Sequence, residues 1–232
     1  LDLDHTKVGD DGLERLKVLT GLTWLSLDGT AVTDAGLEHL KGRIKLAELI
    51  LAATYVTDAG LEHLKGLPNL FYLNLARSGI TVAGLEHLGE FRHLGSLDLT
   101  HTQVTGTGLE HLKGVPNLQG LNLARSQITD AGLEHLKGLT NLRWLTLDSP
   151  KITDAGPEHH TVWATERDQV LPKTQFTDAG LEHLKWITSL QSVGLSNAQV
   201  TDAGLEHLKG LTSLQKLYLR DTQVTDAGLA HL

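Results

Sequence analysis

Leucine recurs along this chain at a fixed beat, and residues 200–223, VTDAGLEHLKGLTSLQKLYLRDTQ, show the unit. Leu205, Leu208 and Leu211 step by three and draw one apolar stripe along a short helix. Leu217 and Leu219 then step by two around Tyr218, the alternation of a strand with one buried face. Thr201 precedes the stripe as N-cap, with a hydroxyl placed to accept from an orphan backbone N–H. Asp202 sets a carboxylate in the first turn, where the helix dipole favours it. Gly210 is expected to end the helix in a left-handed conformation, and Thr222 to turn the chain into the next unit.

Copies of this unit begin at Val8, Val32, Val56, Ile80, Val104, Ile128, Ile152, Phe176, Val200 and Val224, always 24 residues apart. A constant period of this size means a stack of small units rather than a globule. One strand and one helix cannot bury their apolar faces alone, so each copy must lean on its neighbours. Neighbouring strands sit about 4.8 Å apart, whereas packed helices need roughly 8–10 Å. A stack with strands on one side and helices on the other must therefore curve, with the strands inside. The fold class read from the pattern is α/β: one solenoid over residues 1–232, with a concave parallel sheet and short convex helices. Both ends fall in mid-repeat, at Leu1–Leu3 and at Leu232, with no polar capping unit, so the sequence reads as a fragment of a longer protein. Uncapped leucines at those ends predict end-to-end self-association.

The pattern LxxLxLxxTxVTDAGLxxL resembles the leucine-rich repeat, and in particular the 24-residue TDAGL-type repeats common in bacterial proteins. It is similar to the GALA-type repeats of bacterial effectors and to the repeats of F-box proteins. That resemblance covers the whole chain and implies a right-handed horseshoe that works as a binding scaffold. The sequence departs from the pattern where an Asn ladder is usual: Thr6, Thr30, Thr54, Thr102, Thr174 and Thr222 stand there, with Ser78 and Ser126, while Pro150 and Ala198 break the row. These hydroxyls are expected to hydrogen-bond along the stack. No F-box-like or kinase segment accompanies the repeats.

Glycine holds the same helical place in every copy, from Gly12 to Gly228. Glycine costs about 0.5–1 kcal/mol there relative to alanine, which points to close packing of adjacent helix starts; recent duplication would also preserve it. Gly9 replaces the capping Thr in the first full copy, and Arg43 stands where the helical stripe wants leucine, as a stem that carries its charge outward. One copy, 152–175, departs strongly: Pro157, His160, Glu166 and Gln169 take leucine positions and Trp163 a fifth. Drift or compensating frame errors account for it; a hinge or specialised binding segment is the functional alternative.

Candidate chemistry is sparse. Histidine recurs once per helix from His39 to His231, and Glu precedes it in every case but the last. A single row on helices roughly 8–10 Å apart does not bring three or four ligands to about 2 Å from a metal. The row therefore reads as a solvated convex face, braced by Glu–Lys pairs three apart such as Glu206 and Lys209. Below about pH 6.5 it would charge together, which predicts pH-dependent association. There is no cysteine, hence neither a thiol nor a disulfide framework, and the compartment stays open. No nucleophile elbow or phosphate loop is present, so catalytic, cofactor-binding and metal residues are all expected to be none. A net charge of −8 argues against nucleic acid as partner, and no run is long enough for membrane insertion.

The residues that vary lie beside the strand leucines, where a solenoid binds. They include Trp24, Asp28, Glu48, Tyr72, Asn74, Asp98, Asn122, Trp144, Asp148 and Tyr218. Aromatics are only 4% of the chain, yet four of them sit here, the residue type favoured at binding hot spots. Acidic side chains dominate the same rows, with Lys216 and Arg220 at the far end. A protein partner or extended peptide with a basic patch suits this face. The alternatives are a carbohydrate or cell-surface ligand, since sugars stack on such rings, and a plain structural spacer.

Overall fold

The computed structural model describes residues 1–148 and 176–232. Eight three-residue strands form one parallel sheet in sequence order: β1 (Trp24–Ser26), β2 (Glu48–Ile50), β3 (Tyr72–Asn74), β4 (Ser96–Asp98), β5 (Gly120–Asn122), β6 (Trp144–Thr146), β7 (Ser192–Gly194) and β8 (Lys216–Tyr218). Each strand is centred on the leucine (or Val193) that the alternation marks, so it begins one residue earlier than the Leu217–Leu219 pattern suggests. Pairing is in register: Leu25, Leu49, Leu73, Leu97, Leu121, Leu145, Val193 and Leu217 form one row across the sheet. From Leu25 to Val193 that row is almost wholly shielded from water.

The helical side is shorter and less uniform than the sequence suggests. Seven-residue α-helices occur at Asp58–Leu64, Val82–Leu88 and Asp178–Leu184, whereas Gly106–Gly114 is entirely 3₁₀. That segment begins GTG, and two glycines in its first three residues remove the propensity that holds the α form. The stripe itself is kept: Leu205, Leu208 and Leu211 are buried although the helix proper is Asp202–Glu206. Strand leucines, helix leucines and the Val or Ile opening each copy merge into a single core. Among the described residues no helix is long and apolar enough to cross a membrane.

The TDAG text proves to be a rivet between copies. Asp178 lies in the first helical turn, as expected, but its carboxylate reaches the next copy, accepting from the Thr201 backbone N–H at 2.8 Å and hydroxyl at 2.6 Å. The same pair joins Asp10 to Thr33, Asp34 to Thr57, Asp58 to Thr81 and Asp202 to Thr225. Thr201 meanwhile caps its own helix by accepting from Ala203 N–H at 3.3 Å. The recurrent glycine makes room for this rivet: a Cβ on Gly204 would stand 2.2 Å from Asp178 Oδ1. Packing is therefore the reason for that glycine. Among the described residues two rivets are absent, because Val82 and Gly106 occupy the Asp position, and the Thr105 hydroxyl pairs with Thr107 at 3.0 Å instead. Val82→Asp restores the partner for Thr105 under Gly108, and is expected to raise unfolding free energy by about 0.5–1.5 kcal/mol in urea melts. An unchanged midpoint would deny the rivet its stabilising role.

Three expectations need correction. Among the described residues, the Thr and Ser hydroxyls of the row from Thr6 to Thr222 do not bond along the stack. Each donates to the carbonyl three residues back in its own copy, as Thr30 to Leu27, Thr54 to Leu51 and Thr102 to Leu99 at 2.6–2.7 Å. They close the turn after each strand, which has the shape of a local turn and leaves no reach to a neighbour. The left-handed residue also lies in that turn and not at Gly210: His5, Gly29, Ala53, Arg77, His101, Arg125, Asn197 and Asp221 have φ between 49° and 65°. Gly42, at the same place in its own copy as Gly210, is nonetheless left-handed, with φ 79°. Glu206 and Lys209 are not within ion-pair distance, although Lys17–Glu14, Lys41–Glu38, Lys65–Glu62, Lys137–Glu134 and Lys185–Glu182 are.

The stack does not advance by one period at every step. β7 pairs directly with β6, Thr177 bonds Asp130, and the Ser189 hydroxyl bonds the Leu142 carbonyl. Copy 176–199 thus sits on copy 128–151, a step of two periods, and the core closes across it because Phe176 and Leu181 are fully buried. The departing copy 152–175, with Pro157, Trp163 and its polar substitutions, lies outside the described residues.

Candidate functional site

Because strand side chains alternate, the residues flanking the buried leucines face the concave side in three rows. The first row is Trp24, Glu48, Tyr72, Ser96, Gly120, Trp144, Ser192 and Lys216. The second runs Ser26, Ile50, Asn74, Asp98, Asn122, Thr146, Gly194 and Tyr218 across the same pairings. Asp28 and Asp148 follow two residues beyond their strands. All ten residues singled out from the sequence therefore belong to one face.

They are not equally available. Trp144 and Tyr218 are 47% and 46% exposed, and Glu48 is exposed, whereas Trp24 and Tyr72 are half-buried. Asp98 is buried, at 8%, with its carboxylate already engaged: one oxygen accepts from Thr100 N–H at 2.8 Å and the other from the Asn122 side-chain amide at 3.1 Å. Asn74 and Asn122 cap the N–H groups of Ala76 and Ala124 in the same way, at 2.9 and 3.1 Å. These three side chains shape the turn that follows the strand. An Asx residue two before a backbone N–H that needs a partner is the signal for this, and it was readable.

In the first row, Tyr72 and Trp144 stand three strands apart, about 14 Å at the usual spacing, with Ser96 and Gly120 between them. Two large rings thus bracket a shallow trough floored by small residues. A Cβ on Gly120 would lie 2.8 Å from Ser96 Oγ and 3.7 Å from the Trp144 ring, so the trough has no room for a larger floor.

The electrostatics are acidic and partly desolvated. Burial pushes the Asp28 carboxyl above its ordinary pKa; His5, 3.8 Å away, opposes this, Asp4 adds to it and Arg77 opposes it. Burial also pushes Asp148 upward, against hydrogen bonds from Ser196. The Tyr72 hydroxyl is pushed up to about 12 by burial first and then by the Asp98 charge. A desolvated carboxylate is held at a cost, and an incoming cation relieves it.

Two convex histidines, His87 and His111, lie beside a glutamate of the preceding copy. His87 Nδ1 lies 3.4 Å from Glu62, and Lys65 bridges Glu62 at 2.6 Å and Glu90 at 2.9 Å. Among the described residues no three His, Asp or Glu side chains come together as a metal site. Such exposed ion pairs contribute little individually.

Family models described as leucine-rich repeat match residues 92–152 and 210–232. Those two stretches carry leucine-rich repeats. The chain superposes on solved structures from Listeria monocytogenes. One is an internalin, inlF, 25% identical, with a TM-score of 0.66 over 95% of this chain and 54% of that one. Another is internalin C2, 27% identical, with a TM-score of 0.64 over 96% of this chain and 80% of that one. The chain thus spans about half the length of the first internalin structure. No curated protein matches it in sequence. A leucine-rich-repeat solenoid of this kind is in general a scaffold for protein interaction.

Proposed function

We propose that this leucine-rich-repeat solenoid is a non-catalytic scaffold that takes a protein partner, as an extended segment bearing basic residues, on its concave face. The observation that carries the reading is the row Trp24–Glu48–Tyr72–Ser96–Gly120–Trp144: aromatic posts about a small-residue trough, beside carboxylates that burial has left poorly solvated. Aromatic anchors give such a face area at low entropic cost, and the carboxylates give it charge preference. The core leucines lie on the opposite side of the strands, so the face is separable from what holds the fold.

Partner capture by the wild type is compared with capture by the Trp24→Ala, Tyr72→Ala, Trp144→Ala triple variant, with folding of both followed by circular dichroism. The triple variant is expected to stay folded and to lose at least about tenfold in affinity, the effect of one hot spot. A folded triple variant with unchanged capture would make the protein a spacer; glycan binding with no protein capture would favour the carbohydrate alternative. Asp28 and Asp148 titrate above ordinary carboxylates, so they lose charge first as pH falls. Capture of a basic partner is therefore expected to weaken on acidification before ordinary carboxylates protonate, and capture that strengthens would contradict the charge assignment.

A further inference from the structure

A second, differently charged site lies on the edge of the solenoid, where the first two helical segments hand over to their strands. A cleft of about 630 Å³ opens there, lined by Lys17, Thr20, Glu38, Lys41, Arg43 and Lys45 among others. Its centre is Arg43. In the other described copies that position holds Leu19, Leu67, Phe91, Val115, Leu139, Ile187 and Leu211; all but Leu19, which is 43% exposed, belong to the buried core. Arg43 is only 8% exposed, and among the described residues its guanidinium has neither a hydrogen bond nor an ion pair. A planar, permanently charged group that is largely buried and makes no ion pair favours an anion, although Glu38 also lines the cleft.

The surroundings add to that demand. Lys17 and Lys41 pair with Glu14 and Glu38 at 3.3 and 3.6 Å, but Lys45 has no acidic partner among the described residues. Two departures from the repeat open the space. Further along the stack this edge is closed by a side chain that donates to a turn carbonyl of the preceding copy, as Asn117 to Arg92 and Asn141 to Pro116 at 2.7 and 2.8 Å. Lys45 occupies the corresponding place and makes no such bond, so the turn at Thr20 is left uncapped. Gly42 takes a left-handed φ of 79° and carries the chain around the cleft.

From this geometry we propose that the Arg43 cleft binds a phosphate-type oxyanion, as the free ion or as a phosphate ester. The guanidinium supplies a bidentate fork, and Lys45, which has no acidic partner among the described residues, supplies further charge beside it. The organic part of an ester would rest on Ile44, which is 59% exposed at the mouth. This site is independent of the concave face and faces a ligand of opposite charge.

The test is a titration of the full, isotope-labelled chain, followed by amide chemical shifts, with inorganic phosphate against chloride at matched ionic strength. Phosphatidylcholine vesicles with and without phosphatidylinositol phosphate form the second arm. Arg43→Leu restores the residue type of the other copies and therefore folds; Lys45→Asn restores the turn cap. Saturable shifts at residues 17–20 and 41–45, weakened at least about tenfold in Arg43→Leu and less in Lys45→Asn, support a site for the free anion. Binding only to the phosphoinositide vesicles, with the same dependence on Arg43, supports a lipid headgroup. No saturable binding in either arm, or equal binding by Arg43→Leu, overturns the proposal.

Discussion

Leu73→Ala is expected to lower the unfolding free energy by roughly 2–5 kcal/mol, the usual cost of a leucine-sized void in a packed core. Leu73 is fully buried at the centre of β3, between Leu49 and Leu97 in the row that crosses the sheet. A solenoid has no second core to share the strain, because each copy touches only its neighbours. Relaxation around the void is limited by the strand pairing on both sides. Glu48→Ala, on the exposed face of the adjacent strand, should change stability by no more than about 0.5 kcal/mol. Urea unfolding followed by circular dichroism reads both. A Leu73→Ala loss no larger than that of Glu48→Ala would mean that the leucine row is not what holds the copies together.

Gly204→Ala sets two effects of opposite sign against each other. Alanine is favoured over glycine inside a helix by about 1 kcal/mol. The added Cβ, however, would meet Asp178 Oδ1 at 2.2 Å and Leu181 Cδ1 at 3.0 Å. To make room, the carboxylate must leave the Thr201 N–H and hydroxyl it now holds. Overpacking costs about 1–3 kcal/mol, and each lost hydrogen bond about 0.5–1.5 kcal/mol more. The clash wins, and a net destabilisation of about 1–3 kcal/mol is expected. Asp178→Ala empties the space, so in that background Gly204→Ala should cost at least about 1 kcal/mol less. Equal costs in the two backgrounds would detach the glycine from the rivet.

Much of this architecture was legible because it depends on local pattern. The period fixed the copies, the step of two at Leu217 and Leu219 fixed the strand to within one residue, and Thr201 was correctly placed as a cap. What was missed depends on what the stack brings near. Asp202 reads as a dipole partner within its own helix, yet its carboxylate is spent on Thr225 of the next copy. The hydroxyl row read as a ladder by analogy with Asn, but a threonine side chain is short and finds its own carbonyl first. The α or 3₁₀ form of each helical segment turns on small differences in propensity that periodicity does not register. The direct pairing of β6 with β7 joins strands two periods apart, which the period alone does not predict.

The candidate face was legible to the same depth. Alternation placed all ten residues on one side of the sheet, but did not distinguish exposed Trp144 and Glu48 from Asp98, whose oxygens are already taken by Thr100 and Asn122. In the sequence Arg43 reads as a stem carrying its charge outward; the cleft forms where the stacked copies bring it beside Lys45, Gly42 and the turn at Thr20.

One unbroken leucine spine, closed across the junction of β6 and β7, carries the concave face. Native-state hydrogen exchange tests it most directly, because the amides of Leu51, Leu75, Leu99, Leu123, Leu147 and Leu195 each donate to the next strand. A single protected block is expected, slowest in the middle and fading smoothly towards both ends, with Leu147 as protected as Leu123. A sharp fall in protection at Leu147, dividing the chain into two independently opening parts, would contradict it.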